Sequence, residues 1–397
     1  MSKEKRRVPK LRFPGFTEDW EQRKLESILI EYTEKNPENE NLPVLTSSRQ
    51  GLTKQEDHFG SVQRHDISDY NVIPLGFCTY RNRSGDKTFT FNINRIVPRG
   101  LVSKFYPVFE IKNGNADFIT EYLNNNTEII KSLAINAVGT SQVVLSLRTL
   151  RIIEITLPLK AEQVAIGNLM RKLDIYITLH QRKLEHLNLK KKALLQKLFP
   201  KNGERYPELR FPEFTDAWEQ HKLSEVVTIN PKTELPDEFK YVDLESVVGT
   251  NLLGFQVVKK ENAPSRAQRL ASYGDVFYQT VRPYQRNNYL FENVDKNMVF
   301  STGYAQLRSK LDSYFLLTLV QNDNFVKMVL DNCTGTSYPA INGSALGNIT
   351  VRIPSNEVEA NQIGKVFRGI DKNITLHQRK LEHLQLQKKA LLQQMFV

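Results

Sequence analysis

ITLHQRKLEHLNLKKKALLQ, at residues 177–196, recurs as ITLHQRKLEHLQLQKKALLQ at residues 374–393. Only two of the twenty positions differ: Asn188 stands against Gln385, and Lys190 against Gln387. A near-copy of this length, almost two hundred residues away, indicates an internal duplication. The same structural element is therefore expected twice in one chain.

A second repeated pair opens each half of the chain. LRFPGFTEDWEQRKL at 11–25 matches LRFPEFTDAWEQHKL at 209–223. Between the matched ends the two halves barely resemble each other, although drift after a simple duplication would blur both evenly. The pattern predicts one frame used twice with two different heads, which suits a protein that holds one geometry while recognising two different things.

Each half is predicted to close with a long helix, because apolar residues recur at spacings of three and four. Neither Gly nor Pro interrupts these segments after Gly167 and Gly369. A helix of about 38 residues would be roughly 57 Å long. A single helix could not bury such a stripe, so the two should pair, and an antiparallel pair would place the heads at opposite ends. The predicted interface residues are Leu173, Ile177, Leu184, Leu187, Leu194, Ile370, Ile374, Leu381, Leu384 and Leu391.

The regions between the repeats are rich in β-branched and aromatic residues and are broken by Gly, Asn and Pro, which is typical of short strands joined by turns. Helical patterns are predicted at 116–134 and 312–330. The expected fold class is α+β, with two pseudo-repeated halves that each contain a mixed head followed by a long helix. The predicted domains are 1–160 (opening segment and first head), 161–200 (first helix), 201–357 (linker, opening segment and second head) and 358–397 (second helix).

Composition narrows the class of partner. Lys and Arg exceed Asp and Glu by 11, and the pI is near 9.4. This excess favours a polyanionic partner such as nucleic acid, although many intracellular proteins are simply basic. Cys78 and Cys333 are the only cysteines and lack metal-ligand spacing, which argues against a zinc site and a disulfide framework. No apolar run approaches the roughly 20 residues of a membrane span, and no signal peptide is evident, so a cytoplasmic location is expected.

Tests for catalytic motifs find no active site. The glycines of GTNLLGFQ, 249–256, lack the Lys and Ser/Thr of a phosphate-binding loop. The tetrad that amino-methyltransferases use to hold an exocyclic nitrogen, HExxH and GxSxG are also missing. Asp275 and Glu292 are interpreted as surface charges, and His180 and His377 as residues of the helix seam.

Basic, aromatic and amide side chains are interleaved in both heads, as in proteins that bind nucleic acid. Arg can contact guanine or clamp a phosphate, while Asn and Gln suit adenine. The sequence VRPYQRNNY, 281–289, resembles an exposed reading loop. The predicted DNA contacts are Arg49, Arg64, Tyr80, Arg81, Arg83 and Lys104 in the first head, and Lys259, Arg266, Arg269, Arg282, Tyr284, Gln285, Arg286 and Asn288 in the second.

Taken together, these features resemble the specificity subunit of type I restriction–modification systems. The resemblance rests on the paired LRFPxFTxxWEQxKL segments, the repeated LHQRKLEHLxLxKKALLQ helices, and PSRAQRLASYGDVFYQTVRPY, STGYAQLR and TGTSYPAI in the second head. It implies two target-recognition domains that read the halves of a bipartite, asymmetric DNA site, with the paired helices as a spacer.

The resemblance also implies partners and a division of labour. Two adenine methyltransferase (M) subunits would dock on the helices, and restriction (R) subunits would complete a complex with adenine-N6 methyltransferase and endonuclease activity. This chain would be non-catalytic and carry no cofactor, with S-adenosylmethionine, ATP and Mg²⁺ expected on the partner subunits. The alternatives are an enzyme, a structural coiled-coil scaffold, or a stand-alone DNA-binding regulator.

Overall fold

The computed structural model describes residues 8–36, 41–60, 66–201, 203–293, 297–335 and 337–396. Arg64, one of the predicted DNA contacts, lies outside these ranges.

Short strands and helices make up the first half of the chain. Its strands are β1 (Glu21–Lys24), β2 (Leu29–Tyr32), β3 (Leu45–Ser48), β4 (Gly51–Lys54), β5 (Asn71–Pro74), β6 (Cys78–Tyr80), β7 (Arg83–Ser84), β8 (Phe91–Ile93), β9 (Arg99–Val102), β10 (Val108–Ile111), β11 (Val143–Val144) and β12 (Glu154–Leu157). Its helices are α1 (Gln55–Phe59), α2 (Ala116–Asn125), α3 (Thr127–Asn136), α4 (Leu147–Ile152) and the long α5 (Lys160–Lys197).

The second half follows the same general order. Its strands are β13 (Glu219–Lys222), β14 (Val227–Ile229), β15 (Glu238–Val242), β16 (Val247–Val248), β17 (Asn251–Leu252), β18 (Gln256–Lys259), β19 (Ala267–Leu270), β20 (Val276–Gln279), β21 (Tyr289–Leu290), β22 (Met298–Ser301), β23 (Tyr304–Ser309) and β24 (Thr350–Ile353). Its helices are α6 (Leu223–Val226), α7 (Ser313–Gln321), α8 (Asp323–Asp331), α9 (Gly343–Gly347) and the long α10 (Glu357–Met395).

The repeated opening segments form the same frame in both halves. Strand β1 pairs antiparallel with β12, and β13 pairs antiparallel with β24, so each head is closed by its first and last strands. Each head also contains a four-stranded antiparallel sheet, in the order β2-β10-β6-β8 and β14-β23-β20-β21. The two heads therefore share a core topology despite their different sequences.

The remaining strands distinguish the heads. The first head has the separate two-stranded sheets β3-β4 and β5-β9. The second head has instead a four-stranded sheet, β18-β15-β22-β19, in which β15 and β22 run parallel. The heads thus share the core sheet and differ beyond it.

The helical patterns predicted at 116–134 and 312–330 each become two helices. Asn126 ends α2, and its side chain accepts a hydrogen bond from the Ile129 N–H to cap α3. Asn322 separates α7 from α8 and caps α8 through the Asn324 N–H. Asparagine competes for backbone hydrogen bonds in this way, which favours caps over helix interiors.

The chain forms two compact units that do not follow its linear order. One unit comprises Met1–Gln181 and Arg379–Val397, and the other comprises Arg182–Gln378. Each long helix is thus divided, and each unit contains one head, the first part of one long helix and the last part of the other. The domain boundaries read from the sequence stay predictions.

In the first unit, the end of α10 completes the core of the first head. Phe396 packs edge-on against Phe118 and Tyr122, with ring centroids 5.6 and 5.3 Å apart. Trp20 of the opening segment meets the same two rings. Lys388 of α10 contacts Asp174 of α5 while Phe396 lies against the head, as expected for antiparallel helix segments. Burial of this aromatic group, together with Met395, stabilises the docking of α10 in the unit.

The second unit repeats the arrangement with the end of α5. Phe199 packs on Trp218, Phe315 and Phe367 at centroid distances of 5.8, 5.7 and 6.3 Å. Lys191 of α5 pairs with Asp371 of α10 at 2.7 Å. The helix segments again run antiparallel, since Phe199 lies beside Phe367 while the earlier Lys191 lies beside the later Asp371.

A buried ion pair fixes each opening segment to the start of a long helix. Arg12 donates two hydrogen bonds of 2.7 Å to Glu162, whose side chain is fully buried. Arg210 makes the equivalent pair with Glu359, at 2.8 Å. Two-pronged Arg–carboxylate contacts fix orientation as well as distance.

Glycine permits the closest approach of each head to its helix. A Cβ on Gly167 would lie 2.2 Å from Oδ1 of Asn115, the residue that caps α2. A Cβ on Gly364 would lie 2.0 Å from Oδ1 of Asp312, the residue that caps α7. These positions require glycine for space rather than for backbone conformation.

The predicted seam residues line the inner face of the helices. Leu173, Leu187 and Ile370 are buried, and the other seven are half-buried. The α+β class with two pseudo-repeated halves and pairing antiparallel helix segments is confirmed.

Candidate nucleic-acid interface

A polar groove of about 790 Å³ opens on the first head. The turn between β3 and β4, the segment around β7 and the end of α1 form its walls. Three predicted DNA contacts, Arg49, Arg81 and Arg83, meet there and are exposed. The local charge is therefore positive, as required for a phosphate backbone or the acceptor edge of a base.

Arg49 is held in position by a turn across the groove. Its guanidinium forms an ion pair with Asp86 and donates to Thr88 Oγ1 at 2.8 Å. Hydrogen bonds from Thr88, Ser84 and Arg49 hold the pKa of Asp86 well below its usual range. Asp86 is thus a permanent anion that orients Arg49 and would compete with any anionic ligand.

Arg83 and Lys104 share an aromatic platform that the sequence reading missed. The Arg83 guanidinium lies 4.3 Å and the Lys104 ammonium 5.7 Å from the ring centre of Phe105. Lys104 also pairs with Asp69 at 2.7 Å, which raises its pKa. Two predicted contacts are thereby brought together on one exposed ring.

Tyr80 was wrongly predicted to contact DNA. Its side chain is fully buried, its hydroxyl donates to the Leu145 carbonyl at 2.9 Å, and its ring packs against Phe91. Because β6 is the interior strand between β10 and β8, all three of its residues are buried.

The second head presents a strained loop between β20 and β21. Arg282 and Arg286, at either end of the 3-10 turn Pro283–Gln285, both have φ of +55°. Non-glycine residues adopt this conformation rarely, and it is concentrated at functional sites. Tyr284 and Gln285 at the tip are exposed.

The two arginines of this loop have different environments. The Arg282 guanidinium lies 5.4 Å from the ring centre of the exposed Tyr338, a second platform missed from the sequence. Arg286 instead pairs with Asp323 at 2.6 Å and donates to the Gln321 carbonyl at 3.1 Å. Arg286 therefore anchors the loop to the α7–α8 junction, and Arg282 is the better candidate for a base or phosphate contact.

Asn288 was also wrongly predicted as a contact. Only 1% of it is exposed, and its Oδ1 accepts a hydrogen bond from the Gln279 N–H at 2.8 Å. It shapes the base of the loop from within.

The other predicted contacts of the second head are spread over the β18-β15-β22-β19 sheet. Lys259 and Arg269 lie on its opposite edge strands, and Arg266 is exposed just before β19. Burial lowers the pKa of the half-buried Arg269. These three residues are not gathered as the groove residues of the first head are.

Residues 17–189 match the family model described as "Type I restriction modification DNA specificity domain". The match covers the first head and most of α5, which is less than half of the chain. The chain is 24% identical over 258 residues to the type I restriction enzyme MjaVIII specificity subunit of Methanocaldococcus jannaschii, an alignment that spans 60% of each protein.

One solved specificity subunit has a similar fold. The type I restriction–modification S subunit from M. genitalium has a TM-score of 0.60 at 14% identity, over 98% of this chain and 99% of that one. The HsdS subunit from Thermoanaerobacter tengcongensis gives a TM-score of 0.42 at 17% identity, over 96% and 95%. The first of these supports the two-headed architecture described above.

The described parts of this chain contain no group of three or more His, Cys, Asp or Glu side chains suited to a metal ion. No helix in those parts has the length and apolar character of a membrane span.

Four exposed leucines on the two long helices escaped the sequence reading. Leu179 and Leu189 of α5 are 57% and 68% exposed, and their repeat-equivalents Leu376 and Leu386 of α10 are 48% and 67% exposed. The predicted seam residues are buried or half-buried, whereas these leucines are exposed at the same positions of both repeated helices. The sequence reading missed these leucines because residues on any one face of a helix recur at spacings that are sums of three and four.

Proposed function

We propose that this chain is the DNA sequence-recognition subunit of a type I restriction–modification complex and reads a bipartite, asymmetric site. The observation that carries the proposal is the pairing of one repeated frame with two different recognition surfaces. The groove around Arg49, Arg81 and Arg83 and the loop around Arg282 are both cationic, yet they differ in every contact. One half-site would be read by each head.

The long helices support a role in spacing and assembly. Both are continuous, at 38 and 39 residues, and would fix the separation of the half-sites. Leu179 and Leu189, with Leu376 and Leu386, offer near-equivalent apolar surfaces to two identical partners. We assign these surfaces to two methyltransferase subunits, with restriction subunits joining the complex. S-adenosylmethionine, ATP and Mg²⁺ would be held by those partners, and the assembly would act in the cytoplasm on genomic DNA.

The test is methylome sequencing, at single-base resolution for N6-methyladenine, of cells with and without the gene. Loss of methylation on both strands of one split motif, restored by the intact gene, is the expected result. A methylome unchanged by the deletion would refute the proposal. Binding of the purified chain to duplex DNA should weaken steeply with salt, which separates a DNA reader from a scaffold that binds only proteins.

A further inference from the structure

The amide side chains of the loop between β20 and β21 all turn their oxygens into the protein. Gln285 Oε1 accepts from Gln279 Nε2 at 2.8 Å. Asn287 Oδ1 accepts from the Gly249 N–H at 2.8 Å, and Asn288 Oδ1 from the Gln279 N–H at 2.8 Å. Each of these three amide oxygens thus already accepts a hydrogen bond from within the protein.

The orientation of Gln285 is fixed by an unambiguous donor. The backbone N–H of Asn287 can only donate, and it is bonded to Gln279 Oε1 at 3.2 Å. Gln279 must therefore direct Nε2 towards Gln285, and Gln285 accepts this hydrogen bond through Oε1. Since Gln279 is only 2% exposed and Gln285 is exposed, the outward atom of the pair is the Gln285 NH₂ group.

Three backbone carbonyls of the loop accept hydrogen bonds as well. The carbonyls of Arg282 and Pro283 accept from Gln285 and Arg286 N–H groups. The Arg286 carbonyl accepts from Gln321 Nε2 at 3.2 Å and from the Asn288 N–H. Among the side chains that the loop presents to solvent, the Gln285 amide and the Arg282 guanidinium offer donors, and Tyr284 adds a hydroxyl that can donate or accept. Arg282 has no carboxylate partner in the parts of the chain described here.

Unused donors continue beneath the loop surface. Arg282 Nε and Asn288 Nδ2 are buried and have no hydrogen-bond partner among the described residues. Buried polar atoms are seldom left unpaired, and such atoms call for a physical reason. These two buried atoms lie below the surface that a ligand would touch, and they add to the excess of donors around the loop.

Resting on the proposed function, we infer that the second head selects a G·C base pair through this donor surface, with Gln285 as the contact and Gln279 as the positioning residue. In the major groove, guanine presents two adjacent acceptors, O6 and N7, whereas cytosine presents a donor. Adenine requires an acceptor beside a donor, and the Gln285 oxygen that would accept is turned towards Gln279.

The inference can be tested by a substitution at Gln279 that rotates the side-chain amide of Gln285, so that its oxygen and not its NH₂ group faces solvent. In Gln279→Glu, the carboxylate accepts from the Asn287 N–H and also from Gln285 Nε2, so the Gln285 oxygen turns outward. In Gln279→Met the position stays apolar and Gln285 becomes free to rotate. Gln285→Glu, at an exposed position, places an acceptor at the surface directly and does not depend on a buried change being tolerated.

The assay is selection of randomised DNA duplexes by the full chain, followed by sequencing. The wild-type motif should contain a strongly preferred guanine in the second half-site. Gln279→Glu and Gln285→Glu should reduce that preference by roughly tenfold or more in favour of cytosine or adenine. Gln279→Met should only relax it, and Gln220→Glu, an equal charge change on exposed β13, should leave it unchanged.

Two failures are distinguishable. If the wild-type chain recovers no split motif, the proposed function itself is refuted. If the split motif is recovered but Gln285→Glu preserves every base preference of the second half-site, the donor surface is not the reader and this inference is overturned.

Discussion

Replacing one arginine of each buried ion pair should destabilise the two units unequally. Arg12→Met and Arg210→Met both keep an apolar side chain but remove the guanidinium. Each variant leaves a buried carboxylate, Glu162 or Glu359, without its arginine partner. Glu359 retains one donor in the variant, because Trp218 Nε1 lies 3.3 Å from its Oε1. Glu162 receives no equivalent hydrogen bond from Trp20, the counterpart of Trp218, because Trp20 Nε1 is buried without a hydrogen-bond partner in the described structure.

The expected difference follows from these contacts. Removing one partner of a buried ion pair costs roughly 3–5 kcal/mol. A hydrogen bond to a charged group is worth about 1.5 kcal/mol at the weak end, which suits the long Trp218 contact. We therefore expect a loss of about 4 kcal/mol for Arg12→Met and about 2.5 kcal/mol for Arg210→Met.

Hydrogen exchange measured by mass spectrometry separates the two units. Protection of β12 and α2 should fall roughly a thousandfold in Arg12→Met, and protection of β24 and α7 roughly sixtyfold in Arg210→Met. Replacing both members, as in Arg12→Met with Glu162→Met, should restore most of the lost protection. Equal losses in the two single variants, or a greater loss in Arg210→Met, would refute the role given to Trp218.

Four further outcomes are expected. Arg282→Ala should relax recognition of the second half-site alone, measured by methylome sequencing; equal relaxation of both half-sites would contradict the assignment of that loop. Exchanging residues 225–355 for another head should change the second half-site and preserve the first, in the same assay. Adding one heptad to both long helices adds about 10 Å to each, or roughly three base pairs, so the spacer in the methylated motif should lengthen or the motif should be lost; an unchanged spacer would exclude the spacing role. The pKa of Lys388 is raised, because Glu121 and Asp174 outweigh the effect of burial, so its ion pairs stabilise the first unit below about pH 10.5 and are lost above it. Lys388→Met should therefore lower the Tm at pH 8, and the difference from wild type should shrink as the pH rises past 10.5.

The frame of the molecule was predictable because its repeats carry strong local signals. Uninterrupted apolar spacing defined α5 and α10, and the paired segments around Trp20 and Trp218 marked where each head begins. The breaks at Asn126 and Asn322 were less visible, since asparagine is tolerated within helices and its capping role depends on the fold.

The division of the helices between the units could not be read from the sequence. Residues 177–196 and 374–393 are almost identical, so nothing in them indicates which head each will contact. Only the fold places Phe396 beside Phe118 and Phe199 beside Trp218.

The contact residues were the least predictable part. Tyr80 and Asn288 have the composition of a binding loop, yet both are core residues because of strand order and backbone hydrogen bonds. The polarity of Gln285 depends on Gln279, six residues earlier on a buried strand. Residue type alone does not reveal which end of an amide faces outward.

The packing of Met395 and Phe396 into the first head also has a consequence during protein synthesis. Those residues are translated about two hundred positions after the head that they complete, which at 5–20 residues per second means a delay of roughly ten to forty seconds. The first head must wait on the ribosome with its aromatic core open, whereas the second head already has Phe199 when its own strands emerge. A premature stop codon in α10 should therefore destabilise the first head, although the codon lies far from the part of the gene that encodes that head. The Leu11 N–H donates a hydrogen bond to the Gln394 carbonyl, so the opening segment of the first head lies beside the end of α10. A circularly permuted gene that encodes α10 before the first head could therefore supply this helix at the start of translation.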